Sequence, residues 1–179
     1  MISQILHQLD KTTELLQYWT GTDVTFAEAD DSLAASGIGT TTFEVGDYIN
    51  VSGSAQTGNN TTHLLTIVAA NKLTTGSVIT ADNAGETIVI NQEYIGAWVN
   101  VERWAKLTGV INSSGNCSVY IDQSGDKSNV DYTTTVAVTG GTAASWSIET
   151  LAKYVRMRIR NNGADQSIMR AYLYGRANT

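Results

Sequence analysis

The sequence predicts a mainly β protein, and three observations carry that prediction. Short runs of alternating or β-branched apolar residues recur along most of the 179-residue chain. Clusters of Gly, Asn and Asp separate these runs. The chain has no proline, so those residues must build the turns, which they do by tolerating positive φ. Hydrophobic residues make up 42% and charged residues 16%, which is enough apolar material for a core and argues against disorder.

Three segments follow from the pattern. Residues 1–21 predict a short α-helix. Ile2, Ile5, Leu9, Thr12, Leu16 and Trp19 are spaced alternately three and four apart, as in a coiled-coil seam, and Gly21 is a plausible stop. A lone helix of about five turns is marginal in water, so it must pack on something. Ile2, Ile5, Leu9, Leu16 and Trp19 are therefore the expected oligomerisation or anchoring residues. Their partner is the chain's own β-domain, further copies (most simply a trimer) or another protein.

Residues 22–97 predict a small antiparallel β-barrel or sandwich. Thr41–Val45, Tyr48–Gly53, Leu64–Val68, Val78–Ile79 and Thr87–Ile90 read as short extended runs with Gly46-Asp47, Gly58-Asn59-Asn60, Asn71-Lys72 and Ala84-Gly85 as turns. The stretch Ala27–Ala35 fits either a helical turn or a strand-edge loop. Residues 98–179 predict an antiparallel, jelly-roll-like β-sandwich. Trp98–Ile111 reads as one long strand, followed by Cys117–Gln123, Thr133–Thr139, Ser145–Ile148, Tyr154–Arg160 and Ile168–Tyr174.

The charge is uneven. Residues 1–97 hold 11 acids and two bases, whereas residues 98–179 hold six acids and nine bases. Opposite balances suit contacts between subunits, and ordinary surface scatter produces them too. The N-terminus lacks the basic and apolar regions of a signal peptide, and no apolar run is long enough for a membrane span. These features predict cytoplasmic synthesis and no membrane partner. An isoelectric point near 4.7 argues against nucleic acid.

No catalytic constellation is visible, so the expectation is a non-enzyme with no cofactor and no metal. The histidines, His7 and His63, are far apart, and the single Cys117 reads as a small core residue. Asp30-Asp31 and the trio Asp122, Asp126 and Asp131 have two readings: calcium or acid–base groups, and turn formers. Trp98 and Trp104 have the parity to share one strand face, either as core anchors or as a sugar platform. Arg156, Arg158 and Arg160 alternate with Val155, Met157 and Ile159, so they share a face at a spacing of roughly 6.7 Å. Such a row either grips an acidic partner or pairs across strands with Asp or Glu.

Two stretches carry a resemblance. Trp104–Val110, Gly115–Asp126, Asn129-Val130-Asp131 and Tyr154–Asn161 resemble a β-sandwich module of tailed-phage structural proteins. The module's hairpin, turn and final strand are matched here by Gln123, Ser124, Asp131, Tyr154, Arg156 and Asn161. Gly125 is extra, and Val130 stands where an aromatic is usual. Val45–Ala55, Gly58-Asn59-Asn60 and Ala84–Ile90 are similar to a small β-barrel module of phage head and tail proteins. The resemblance implies a virion structural protein assembled in the host cytoplasm. Its preferred role is capsid decoration or cement, partnered by its own copies and the major capsid protein. A tail, neck, baseplate or fibre-attachment component is the alternative within that class, and a glycan-binding module is the alternative outside it.

Overall fold

The computed structural model describes residues 3–11, 17–39 and 43–177. The chain divides into two compact units. One is Leu16–Tyr94. The other joins Met1–Leu15 to Ile95–Thr179.

The N-terminal segment corrects the helical expectation. Ser3–Lys11 is a strand, β1. It pairs antiparallel with the strand Met169–Arg176. The spacing of Ile5 and Leu9 fits a strand as well as a helix, because an even separation keeps the strand face. The register jumps between Ile5 and His7, leaving Leu6 as an extra residue. Past that bulge His7 and Leu9 turn inward and are buried, while Ile5 stands about half exposed on the outer face. A neighbouring strand satisfies the backbone groups of this segment, which overrides a short 3.5-residue pattern. Ile2 and Leu16 lie outside the described residues. Leu9→Asp is expected to unfold this unit by about 3 kcal/mol or more, because it buries an unpaired carboxylate in a core site. A denaturation midpoint equal to that of the wild type would contradict this.

Among the described residues, the unit Leu16–Tyr94 holds seven short strands: β2 (Tyr18–Gly21), β3 (Thr25–Ala27), β4 (Ser32–Ala34), β5 (Tyr48–Ser52), β6 (Thr62–Ala69), β7 (Lys72–Thr75) and β8 (Ile88–Ile95). The ambiguous stretch around residues 27–35 is therefore a hairpin, with a single 3-10 turn at Glu28–Asp30 between β3 and β4. All pairings within the unit are antiparallel, in the order β2-β8-β5-β6-β7-β4-β3. The order does not return on itself, so no barrel closes among the described residues. Strand β6 is the corner. Its residues 62–64 pair with β5, and residues 65–69 pair with β7 across a bulge at Thr66. The core between the two halves is aliphatic with two Phe: Phe26, Leu33, Ile38, Phe43, Ile49, Leu65, Leu73, Ile79 and Ile90 are among its members. Trp19, expected on the helix, lies on β2 opposite Ile90 and packs against this core.

The other unit is an antiparallel β-sandwich. Its further strands are β9 (Val99–Asn100), β10 (Lys106–Ser113), β11 (Cys117–Ser124), β12 (Tyr132–Val138), β13 (Ala144–Glu149), β14 (Tyr154–Asn161) and β15 (Met169–Arg176). One sheet has the order β1-β15-β10-β13, and the other has β12-β11-β14 with β9 on β14. Alternation sets the faces. Leu107, Ile111, Val119, Ile121, Val155, Met157, Ile159, Ala171 and Leu173 are all fully buried between the sheets. Gln123 ties the sheets at one end. Its side chain donates to the Glu149 carbonyl at 3.1 Å and accepts from the Leu151 amide at 2.7 Å. The long strand expected over residues 98–111 is broken. The Trp104 amide bonds back to the Val101 carbonyl at 2.9 Å, a turn that separates β9 from β10.

Candidate interaction surfaces

The arginine row lies where its alternation puts it, on the outer face of β14. The register sets Asp122 opposite Arg156, Tyr120 opposite Arg158 and Ser118 opposite Arg160. Asp122 is the centre of a ladder. Its carboxylate accepts from Arg156 Nε at 2.9 Å, from Arg158 Nε at 2.6 Å and Nη2 at 3.1 Å, and from Thr133 Oγ1 at 2.9 Å. Aromatic rings fill the gaps between the cations. The Arg156 guanidinium lies 4.5 Å from the Trp98 ring centroid, and Arg158 and Arg160 lie 4.8 and 5.2 Å from that of Tyr120. The Asp122 side chain has no exposed surface, and those of Arg156 and Arg158 keep only 25% and 18%. Burial opposes ionisation of Asp122. The hydrogen bonds and charges of the two arginines outweigh it and hold the carboxyl below its usual range. Cross-strand pairing is thus what the structure shows for Arg156 and Arg158.

The two tryptophans do not form a shared platform. Trp98 lies under Arg156, and Trp104 is buried over Gly175 with the Arg103 guanidinium 4.8 Å from its ring. The aspartates act as turn formers. Asp126 accepts from the amides of Ser128 and Asn129 at 2.8 and 3.0 Å, and Asp131 accepts from the Gly125 amide at 2.7 Å. Asp30 pairs with Lys72, and Asp31 receives the Ile79 amide at 3.0 Å. Among the described residues no three of His, Cys, Asp and Glu are placed to hold a metal ion. No helix among them is long and apolar enough to cross a membrane.

The remaining candidates are interior groups. His63 bridges Ser77 Oγ at 2.6 Å and the Asn59 carbonyl at 3.0 Å. His7 is buried, and desolvation pushes its pKa below the ordinary value against the opposing hydrogen bond with the Val155 backbone. Burial pushes the Cys117 thiol up to about 11, which leaves it unreactive at neutral pH.

Two surfaces escaped the sequence reading. The first is aliphatic and lies on β6. Leu64 and Ile67 both face outward because the bulge at Thr66 resets the alternation. Gly46 and Asp47 bond to the backbone of Leu65, and Gly76 bonds to that of Leu64, which holds the segments carrying Val45 and Val78 beside the same strand. Val45, Ile67 and Val78 are 65%, 57% and 77% exposed. The second is the outer face of the sheet β1-β15-β10-β13. There Tyr172 and Tyr174 stack with ring centroids 6.2 Å apart beside a groove of about 450 Å³.

Residues 51–174, more than half of the chain, match the family described as "Uncharacterised protein YqxG N-terminal domain". No curated protein matches the chain.

Proposed function

The chain belongs to the YqxG N-terminal domain family, and because that family is uncharacterised we propose a role from the chain's own surfaces: a non-enzymatic structural subunit that works by repeated contact. The observation that carries this reading is the set of exposed aliphatic side chains Val45, Leu64, Ile67 and Val78 on and beside β6. Clustered exposed aliphatics mark contact surfaces rather than ordinary solvated ones. Charge supports the same reading. Residues 16–94 hold nine acids and one base, while residues 98–179, which carry the arginine row, hold six acids and nine bases. An acidic unit of one copy and the arginine face of the next are complementary.

The virion setting comes from the two phage-like motif stretches, with capsid decoration or cement as the preferred role and the major capsid protein as the partner. A tail, neck or baseplate position fits the same contacts. The trimer rested on an N-terminal helix, and with Ser3–Lys11 a strand it has no remaining basis. Many weak contacts repeated over copies supply the strength.

Purified particles from a host carrying the gene test the proposal. The chain is expected there in stoichiometric, ordered copies, and its absence from particles overturns the virion role. Ile67→Asp with Val78→Asp changes two exposed side chains, so stability is expected to stay within about 1 kcal/mol. Incorporation into particles is expected to fall at least tenfold. Unchanged incorporation would remove the aliphatic surface from the proposal.

A further inference from the structure

A strand at the end of a sheet offers unpaired backbone groups to any chain that can add to it. Among the described residues, all such strands but one carry a protection. β2, β3 and β9 have at most four residues. β1 is interrupted by the bulge at Leu6. β13 ends on Glu149, whose carboxylate pairs with Lys106 at 3.4 Å. β12 has none of these features. Its seven residues, Tyr132–Val138, pair with β11 in unbroken register. No residue between Asp131 and Glu149 is charged, and no proline interrupts the strand. Thr133, Thr135 and Ala137 are exposed, and Tyr132 keeps 49% of its surface.

We infer that β12 pairs antiparallel with β12 of a second copy, across a twofold axis at Thr135, and that the chain is thereby a dimer. Charge selects a copy of the same strand as the occupant. Pairing about a twofold axis sets residues near the axis against their own kind, so like charges there would repel. A charge-free strand in a chain of net charge -6 meets that condition. In full register Thr135 faces Thr135 of the partner subunit, and Thr133 faces the partner's Ala137. Tyr132 faces the partner's Val138, an aromatic and β-branched pair of the kind that stabilises antiparallel sheets. The edge is also held in shape at both ends. The Asp131 amide bonds to the Gln123 carbonyl at 3.0 Å, the Gly140 amide to Asn116 Oδ1 at 2.9 Å and the Gly141 amide to the Ser113 carbonyl at 2.8 Å. Little ordering is therefore left for association to impose. An edge of about 23 Å makes a small interface, so micromolar association is expected. The pairing closes at two copies because the same edge serves both. It uses none of Val45, Leu64, Ile67 and Val78, so it is independent of the aliphatic surface.

The test is sedimentation of the full chain up to about 100 μM, well above a micromolar constant. Wild type is expected to reach twice the 19.2 kDa of one chain. Thr135→Lys and Thr135→Glu each set like charges together at the axis and are each expected to weaken dimerisation at least tenfold. An equimolar mixture of the two variants is expected to restore the dimer, because opposite charges then meet there. That rescue also shows that both variants are folded. Ile67→Asp with Val78→Asp is expected to leave the dimer unchanged. A monomeric wild type, a dimer indifferent to Thr135→Lys, a mixture that stays monomeric, or a dimer lost in the Ile67→Asp and Val78→Asp variant would each overturn the assignment.

Discussion

Asp122→Ala is expected to lower the stability of the sandwich by about 3–5 kcal/mol, the range for removing one partner of a buried ion pair. The loss comes less from the attraction removed than from what stays behind. Two guanidinium groups, each less than a third exposed, keep their charges on the face between Trp98 and Tyr120 after losing the Asp122 carboxylate. Asp122→Asn keeps the shape and some acceptors, so it is expected to lose less. Denaturant titration followed by tryptophan fluorescence checks both, and equal midpoints for Asp122→Ala and wild type would show that the ladder contributes nothing. The pH dependence has a definite sign. The folded carboxyl sits below its ordinary value of 3.8, so its contribution is complete above that value. It is lost as pH falls through the lower folded value. The wild type is therefore expected to lose its advantage over Asp122→Ala in strong acid. Asp30, Asp82 and Asp126 are shifted the same way, so overall acid sensitivity does not vanish in the variant.

Gly53→Ala is expected to produce the second large loss, in the unit Leu16–Tyr94. Gly53 follows β5 with φ of 99°, in the region that side chains avoid. A Cβ there would also overlap the carbonyl oxygen of Thr87, just before β8. Backbone strain of roughly 1–3 kcal/mol and overpacking of similar size combine, because backbone on both sides must shift. Gly141 is the control. It has φ of 76° but open space around a built Cβ, so Gly141→Ala is expected to cost about 1–2 kcal/mol. Thermal unfolding of the two variants checks the difference. A Gly141→Ala loss as large as that of Gly53→Ala would assign the effect to strain alone.

Strand β14 of the sandwich was legible because it alternates without interruption. Val155, Met157 and Ile159 against Arg156, Arg158 and Arg160 fixed both the element and its faces, and Asn161-Asn162-Gly163 fixed its end. The N-terminal strand was not legible. Ile5 and Leu9 satisfy helical and extended spacing alike, and the bulge at Leu6 hides the period of two. Only the distant partner β15 decides between them, and partners are invisible to local periodicity. Asp122 was visible as an acid near a turn, but its role depends on register with β14, thirty-odd residues on. The same holds for the groove. Tyr172 and Tyr174 alternate correctly in sequence, yet the residues set beside them come from β10 and β13. Sequence period gives a face its residues, and strand order gives it neighbours.

The pairing of β1 with β15 also has a consequence for synthesis. A ribosome releases β1 first, then the whole of Leu16–Tyr94, then the rest of the sandwich, and β15 comes after all of these. The inserted unit has its own core and can condense while β1 still waits with an unpaired edge. Contacts so distant in sequence form slowly, so the waiting strand is the stage at which this chain is most open to chaperones or to mispairing with a second nascent copy.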